Sequence, residues 1–183
     1  ALDPSKVAAL SGENKLVDGR LGKVVQLSGD DPFTVPTGNF NRQDPFTLSL
    51  WIQTPDVKER AVLLHRSKAW TDAASRGFEL LLEEGRLKWS LIRFWPGDAA
   101  SIRALQPVKT GEWLHVTVRS DGSGKASGLA IFINGAPAPV EVLKDNLSRD
   151  IQPGRDHITL GERMRDRGFK NGLVDEVRVF ERA

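Results

Sequence analysis

Two glutamates are the first residues whose spacing invites a chemical interpretation. Glu79 and Glu83 are four residues apart in the segment GFELLLE, so an extended chain places both carboxylates on one strand face. Paired carboxylates of glycoside hydrolases lie about 5 to 9.5 Å apart, whereas four extended residues span roughly 13 Å. We therefore predict that the chain is not an enzyme and has no catalytic residues.

Motifs for nucleotides and metals are incomplete. The run Gly122-Ser123-Gly124-Lys125 resembles the end of a phosphate-binding loop, but Arg119 stands where the first glycine is required and Ala126 where Ser or Thr must follow. The histidines are too far apart in sequence for metal-ligand spacing. The chain has no cysteine, which excludes disulfides, thiolate zinc sites and cysteine nucleophiles.

Composition narrows the partners further. The 183 residues carry a formal net charge of +2 without a dense basic run, so nucleic acid is not a predicted partner. No apolar run approaches the roughly 20 residues of a membrane-spanning helix. The length predicts one domain over residues 1–183. Because the chain starts at Ala1 without a methionine or signal peptide, we expect a fragment of a longer protein.

Flat aromatic rings are the remaining side chains suited to recognition, because indole faces pack against sugar rings. Trp51 and Trp113 alternate with apolar residues and are predicted to point away from the core, as are Gln53 and His115. Trp70 and Trp95 are predicted in loops near polar side chains. The alternative is that long loops cover these aromatic residues. The candidate ligand-binding residues are Trp51, His65, Arg66, Trp70, Trp95, Trp113 and His115.

Three segments show the period-two alternation of half-buried strands. In residues 46–54 and 112–120 the predicted inward rows are Phe46, Leu48, Leu50 and Ile52, and Leu114, Val116 and Val118. In the closing segment, Asp175, Val177 and Val179 are predicted on one face, and Glu176, Arg178 and Phe180 on the other.

Turn signals divide the rest of the chain into further short strands. Glu84-Gly85 and Asn134-Gly135 are hairpin signals, the second of the commonest two-residue type. The flanking and shorter strands are predicted at residues 6–10, 22–27, 33–36, 61–68, 77–84, 86–95, 128–133, 136–143 and 157–161. Many short strands separated by turns predict an all-β sandwich or barrel.

Two segments keep alternative interpretations open. Residues 57–76 lack Gly and Pro, so a helix there competes with the strand over 61–68. Residues 149–167 alternate Arg with acidic residues, which predicts either a solvated surface or a docking face.

Six segments occur in an order that resembles a known family: FTLSLWIQT, GFELLLEEGRLKW, GEWLHVTVRSDG, LAIFINGAPA, ITLGE and FKNGLVDEVRVFERA. They resemble the laminin G-like branch of the concanavalin A-like lectin/glucanase superfamily, and GKVVQLSGDDPFTVP extends the similarity upstream. The resemblance implies a jelly-roll sandwich of two curved antiparallel sheets, with ligands on the concave face and rim loops. It also implies that the closing segment pairs with residues 22–27.

The same resemblance implies one structural calcium ion and no organic cofactor. In related jelly rolls calcium is held by a carboxylate of the closing strand and a carbonyl of an early glycine turn, which match Asp175 and Gly29. Calcium takes six to eight oxygen ligands, which carbonyls and waters complete. The alternative is that Asp175 accepts backbone N–H bonds or pairs with an arginine.

A closer similarity is to the laminin G-like module of large planctomycete-type proteins, in which it lies beside cytochrome c-like domains. The segments DPFTLSLWIQTPDVKERAVLLHRSKAWTDAASRGFELLLEEGRL and NLSRDI carry this similarity. It implies an extracytoplasmic accessory module (periplasmic, cell-surface or secreted). The predicted function is non-catalytic recognition of a glycan or polysaccharide. The alternative is a protein-interaction or spacer module that positions flanking domains.

Overall fold

The computed structural model describes residues 9–20, 22–152 and 157–183. Short strands bounded by Gly, Pro, Asn and Asp turns form two antiparallel sheets. The strands are β1 (Ala9–Leu10), β2 (Lys15–Gly19), β3 (Gly22–Gln26), β4 (Phe33–Val35), β5 (Phe46–Gln53), β6 (Arg60–Arg66), β7 (Gly77–Glu83), β8 (Arg86–Phe94), β9 (Asp98–Ala104), β10 (Leu114–Ser120), β11 (Leu129–Ile133), β12 (Ala136–Pro137), β13 (Val140–Asp145), β14 (Ile158–Leu160) and β15 (Leu173–Phe180).

One sheet has eight strands in the order β1-β4-β14-β6-β7-β8-β9-β13, and the other has seven in the order β12-β11-β10-β5-β15-β3-β2. Strands that are neighbours in space therefore come from distant parts of the chain, as in a jelly roll. The predicted all-β sandwich is confirmed, and so is the pairing of the closing strand with β3. No helix among the described residues is long and apolar enough to cross a membrane.

The core lies between the two sheets and contains the rows that alternation predicted. Phe46, Leu50 and Val116 are fully buried on the inner face of the seven-stranded sheet, opposite Phe78 and Trp89 of the eight-stranded sheet. The Trp89 indole N–H donates a hydrogen bond of 3.1 Å to the Arg119 carbonyl, which satisfies its polar atom inside the core. We call the sheet faces turned away from this core the outer faces.

The helix alternative for residues 57–76 is wrong, because β6 occupies Arg60–Arg66 and only a short 3₁₀ helix, Asp72–Ser75, follows. The predicted strand over 136–143 is also wrong as one element. Pro137 and Pro139 interrupt it, since proline cannot continue a hydrogen-bond ladder. The chain leaves β12 and joins the other sheet as β13.

Two strands were absent from the sequence prediction. β9 (DAASIRA) buries two alanines and one isoleucine, so its inward row carries little hydrophobic signal. β2 (KLVDG) is mostly exposed at the sheet edge. For the predicted strand over residues 6–10, only Ala9 and Leu10 lie within the described residues, and they form β1.

The closing strand contains a β-bulge that changes its predicted phase. Asp175 pairs with Trp51 and Arg178 with Ser49, so Glu176 and Val177 together stand opposite one residue of β5. Glu176 has a φ of 47°, which accommodates the extra residue. The prediction that Asp175 and Val177 share a face is therefore wrong: Val177 packs against the core, and Asp175 lies beside Trp51.

Candidate functional site

The outer face of the seven-stranded sheet gathers three predicted site residues, two from adjacent strands and one from the residue before β10. Trp51 of β5 pairs directly with His115 of β10, and their ring centroids are 5.1 Å apart. Trp113 lies two residues before His115, so its side chain emerges on the same face. All three side chains are partly exposed. The prediction that they point away from the core is confirmed.

These rings line a depression of about 790 Å³, which we call the Trp51 depression. Its lining residues are Arg20, Trp51, Trp113, His115, Asn134 and Gly135. The Arg20 guanidinium lies over the Trp51 ring at 4.5 Å from its centroid, within cation–π distance. The depression thus combines aromatic surface with a cation, an imidazole and an amide.

Asn134 joins the site because of the hairpin turn that it forms. Asn134 and Gly135 have φ values of 52° and 81°, as the predicted Asn-Gly turn requires. The Asn134 Oδ1 accepts a hydrogen bond of 2.9 Å from the His115 backbone N–H, which fixes the amide beside the imidazole. Sequence reasoning treated Asn134 only as a turn residue and did not include Arg20, because neither is near Trp51 in sequence.

The outer face of the eight-stranded sheet is polar but buried. Strand pairing places five polar side chains in one row across the sheet, and each is at most 1% exposed: Thr159, His65, Glu79, Ser90 and Ser101. Two adjacent members, Ser90 and Ser101, share a hydrogen bond of 2.7 Å between their hydroxyls. Loops cover this row, whereas the Trp51 depression is open.

One covering segment is the loop formed by residues 161–168, whose ends meet where the Phe169 N–H donates to the Gly161 carbonyl at 2.9 Å. Compact loops with adjacent ends of this kind are Ω-loops. The Trp70 N–H donates to the Met164 carbonyl at 3.0 Å, so this loop also holds the segment that carries Trp70. The prediction that residues 149–167 form a solvated surface or docking face is wrong at Arg163, whose side chain is 0% exposed.

Arg163 is the centre of a group of paired charges that we call the ionic network. Its guanidinium donates to the Glu79 carboxylate at 2.6 Å and also to Asp166. Asp166 accepts a second hydrogen bond of 2.6 Å from Arg60. The members are Arg60, Glu79, Glu83, Lys88, Arg163 and Asp166. Burial alone would raise the pKa of the Asp166 carboxyl, but the hydrogen bond from Arg60 and the charge of Arg163 outweigh burial and lower this pKa.

Contacts with Lys88 show that the carboxylates of Glu79 and Glu83 lie closer together than predicted. The Lys88 Nζ lies 3.7 Å from a Glu79 oxygen and 3.5 Å from a Glu83 oxygen. These carboxylate oxygens are therefore no more than about 7.2 Å apart, and the predicted separation of roughly 13 Å is wrong for the side-chain ends. The side chains converge although their backbone positions do not. Each carboxylate is also paired with an arginine, Glu79 with Arg163 and Glu83 with Arg60.

Trp70 and Trp95 come together over the ionic network, with ring centroids 6.1 Å apart. Arg60 lies 4.3 Å from the Trp70 centroid, and Lys88 lies 4.3 Å from the Trp95 centroid. Both indoles are partly exposed. The structure thus groups these two predicted residues with each other, on the sheet face opposite the Trp51 depression.

His65 and Arg66 are placed differently from the tryptophans, since they are 1% and 2% exposed. The His65 Nε2 lies 2.9 Å from the Glu162 carbonyl oxygen and therefore carries the proton, while Nδ1 faces the Ser67 hydroxyl at 2.9 Å. Arg66 donates to the Gly38 carbonyl at 2.6 Å. Both side chains hold loops to the sheet, and neither lies at the Trp51 depression.

The two predicted calcium ligands lie apart. Val174 pairs with Val25, which puts Asp175 level with Val24, and Gly29 follows five residues later, on the order of 15 Å along an extended chain. The Asp175 carboxylate accepts the N–H of Glu176 at 2.8 Å. Among the described ranges, no group of three or more His, Cys, Asp or Glu side chains is arranged to hold a metal ion.

A family model described as the concanavalin A-like lectin/glucanases superfamily, of laminin G type, matches residues 27–183. The chain therefore belongs to this superfamily. A search among curated proteins found no match.

Solved structures share the fold. The binding domain of Paraclostridial Mosquitocidal Protein 1 matches with a TM-score of 0.73 and 19% identity, over 97% of this chain and 44% of that chain. The botulinum neurotoxin serotype G binding domain matches with a TM-score of 0.70 and 15% identity, over 97% and 43%. The present chain thus spans less than half of these toxin domains.

A third match covers most of both proteins. Domain 4 of AbnA, an extracellular arabinanase from Geobacillus stearothermophilus, was solved in complex with arabinotriose, and it matches with a TM-score of 0.58 and 20% identity over 94% and 77%. At these identities the likeness of all three structures shows the fold alone.

Proposed function

We propose that the chain is a non-catalytic carbohydrate-binding module whose ligand lies in the Trp51 depression. The observation that carries this proposal is the convergence of Trp51, Trp113 and His115 with Arg20 and Asn134 in one open depression. Carbohydrate sites combine apolar aromatic surface with a few fixed polar groups. The arabinotriose complex of a domain with the same fold and the toxin binding domains support a recognition role.

Each group in the depression has a distinct part in binding. The indoles of Trp51 and Trp113 offer apolar faces to sugar C–H groups, while Arg20 offers hydrogen-bond donors to ring hydroxyls. The side-chain Oδ1 of Asn134 already accepts a hydrogen bond from the His115 backbone N–H, so the side-chain NH₂ group is the end that donates to a ligand. Such a site binds without bond breaking. Glu79 and Glu83, on the opposite face, are paired with cations and do not take part.

The test is binding of Trp51→Ala to a panel of soluble polysaccharides that includes arabinan, measured by calorimetry. We expect wild type to bind at least one polymer and Trp51→Ala to lose about tenfold or more in affinity, which corresponds to about 1.4 kcal/mol. Thr117→Ala is the matched control, because Thr117 lies on the same face two residues from His115 but outside the depression. Absence of binding to every polymer, or equal losses in both variants, would refute the proposal.

A second candidate function is a docking or spacer module that positions flanking domains of a larger extracytoplasmic protein, as the similarity to planctomycete-type proteins implies. The supporting observation is the edge strand β13, on which Val142 is 59% exposed, with Leu105 nearby at 46%. Sheet edges accept further strands from partners. Co-purification with adjacent segments of the parent protein, and its loss in Val142→Lys, would favour this function.

A structural calcium ion stays a prediction of the family resemblance. Because Asp175 and Gly29 lie apart, the ion would be held by only one of them together with other oxygens. Removal of calcium with EDTA tests this directly through the melting temperature. A decrease that Asp175→Ala abolishes would place the ion at Asp175, and an unchanged melting temperature would refute the site.

A further inference from the structure

Trp70 and Trp95 form a paired aromatic surface that the proposed site does not use. We propose that this Trp70–Trp95 pair is a second binding site, for neutral sugar rings, so that one molecule binds two glycan segments on opposite faces. The inference rests on the proposed carbohydrate-binding function and adds a site to it.

The two indoles are held from the sheet side by cations. Lys88 Nζ lies 4.3 Å from the Trp95 centroid and 5.9 Å from the Trp70 centroid, so one ammonium group contacts both rings. The guanidinium groups of Arg60 and Arg163 lie 4.3 and 5.0 Å from the Trp70 centroid. Since these cations are mostly buried, the exposed parts of both indoles are turned to solvent. The rings are thus fixed before a ligand arrives, which reduces the entropy lost on binding.

A role in holding the covering loops does not by itself account for the burial of Arg163 and Lys88 beneath the two indoles. The side chain of Arg163 is 0% exposed and that of Lys88 is 3% exposed, and desolvating two cations costs several kcal/mol each before pairing recovers it. Apolar side chains of similar size would hold the covering loops at least as well. What the cations supply in addition is a fixed position for two partly exposed indoles, whose centroids are 6.1 Å apart and whose planes are inclined by 46°.

The charge balance indicates the ligand class. The ionic network has three cations, Arg60, Lys88 and Arg163, and three carboxylates, Glu79, Glu83 and Asp166, in mutual contact. Arg103 connects Glu83 to a neighbouring group of Arg86, Glu84 and Glu141, so two further cations and two further carboxylates keep the charges equal. A charged sugar would gain no net attraction from this balanced group, and its own desolvation would oppose binding. A neutral ring, which needs only aromatic contact and hydroxyl partners, fits this surface.

Position in the sandwich makes the two sites independent. The Trp51 depression and the Trp70–Trp95 pair lie on the outer faces of different sheets, and packed sheets are about 10 Å apart before their outward side chains are added. A short oligosaccharide on one face therefore does not reach the other. A long polymer or two separate chains would occupy both sites, and the module would cross-link them.

The experiment is calorimetry with neutral oligosaccharides of three to six residues, including arabinotriose, on wild type, Trp51→Ala, Trp95→Ala and the double variant. We expect about two sites for wild type, one for each single variant, and none for the double variant. Phe94→Ala is the matched control, because Phe94 is a neighbouring aromatic residue, 42% exposed, that makes no contact with the ionic network among the described ring contacts. It is expected to retain two sites.

The outcomes separate the two proposals. One site that is lost in Trp51→Ala and kept in Trp95→Ala overturns the second site and leaves the proposed function intact. One site lost only in Trp95→Ala supports the pair and refutes the Trp51 depression. No binding by any protein refutes both. If Trp95→Ala proves unfolded by circular dichroism, Trp95→Leu replaces it, since leucine keeps apolar cover over Lys88 but has no aromatic face.

Discussion

The two outer faces of the sandwich carry similar residue types, but these residues are accessible to solvent on one face and covered by loops on the other. On the seven-stranded sheet, Trp51 and His115 stay accessible, and the exposed Arg20 side chain contacts the Trp51 indole. On the eight-stranded sheet, loops cover a polar row, and the buried Arg163 side chain contacts the Trp70 indole. An outward polar residue on a strand is therefore not evidence of an open surface. Whether it is accessible depends on loops that are distant in sequence.

The largest expected difference between the two faces is in stability. Arg163→Met leaves buried Glu79 with only Lys88, at 3.7 Å, and buried Asp166 with only Arg60, so we expect a loss of about 3–5 kcal/mol in the free energy of unfolding. Arg178→Ala, on the open face, removes a pair whose side chains are 56% and 45% exposed and should cost less than about 1 kcal/mol. Urea unfolding followed by circular dichroism measures both. Similar losses would contradict the assigned difference between the faces.

The covered face should also respond to acid. The pKa of Asp166 is lower in the folded protein than in the unfolded chain. Its contribution to the free energy of unfolding is therefore fully present above the unfolded pKa, about 4, and is lost as pH falls through the lower folded pKa. We expect Asp166→Asn to be less stable than wild type at pH 7 and to lose less on acidification to pH 3. Urea unfolding at both values tests this.

Glu84→Gln provides the comparison for acid sensitivity. The hydrogen bond from Arg86 lowers the pKa of Glu84, but this carboxylate is largely exposed, and solvent screens its interactions. Its replacement should therefore change the pH dependence less than Asp166→Asn does. The opposite order would place the acid-sensitive charges outside the covered face.

On the open face, substitutions at Asn134 distinguish its role in the hairpin turn from the role of its side-chain amide in ligand binding. Asn134→Ala and Asn134→Gly both remove the amide and should weaken glycan binding equally, by a few-fold for one lost hydrogen bond. Only alanine is strained at a φ of 52°, so it should cost about 1–2 kcal/mol more in stability than glycine. Thermal unfolding and calorimetry on the same samples distinguish the two effects. Unequal affinities would mean that the turn, and not the amide, determines binding.

The smallest predicted effect concerns Arg20. Arg20 offers the ligand an exposed hydrogen-bond donor worth about 0.5–1 kcal/mol, so Arg20→Ala should weaken glycan binding about two- to fivefold. The melting temperature should fall only slightly, because the exposed cation–π contact with Trp51 is worth about 0.5–1 kcal/mol. Arg20→Lys should recover part of the affinity. An unchanged affinity in Arg20→Ala would remove Arg20 from the site.

Alternation predicted the elements with strong apolar rows and missed those without them. β5 and β10 were recognised because Leu, Ile and Val fill their inward positions. β9 was missed because alanines fill two of its core positions, and small residues bury little surface to create a pattern. The bulge at Glu176 was also missed, since an inserted residue breaks the period that the prediction relies on.

The site could be predicted in part for a related reason. Trp51, Trp113 and His115 share a face because β5 and β10 are neighbours with matching phase, which each strand's own pattern already suggests. The ionic network has no such local signal: Arg163 and Glu79 are 84 residues apart, and Arg60 and Asp166 are 106 apart. A charge-rich segment that is solvated and one that is buried against distant partners have the same composition.

The bulge in β15 has a consequence for how this gene tolerates change. Glu176 is an exposed side chain, and it is the one surplus residue between outward Asp175 and inward Val177. Deleting this one codon would place Val177 directly after Asp175, so strict alternation would still direct Val177 and Val179 to the core and Arg178 outward. The position therefore tolerates loss of its residue, so homologous sequences are expected both with and without this one codon.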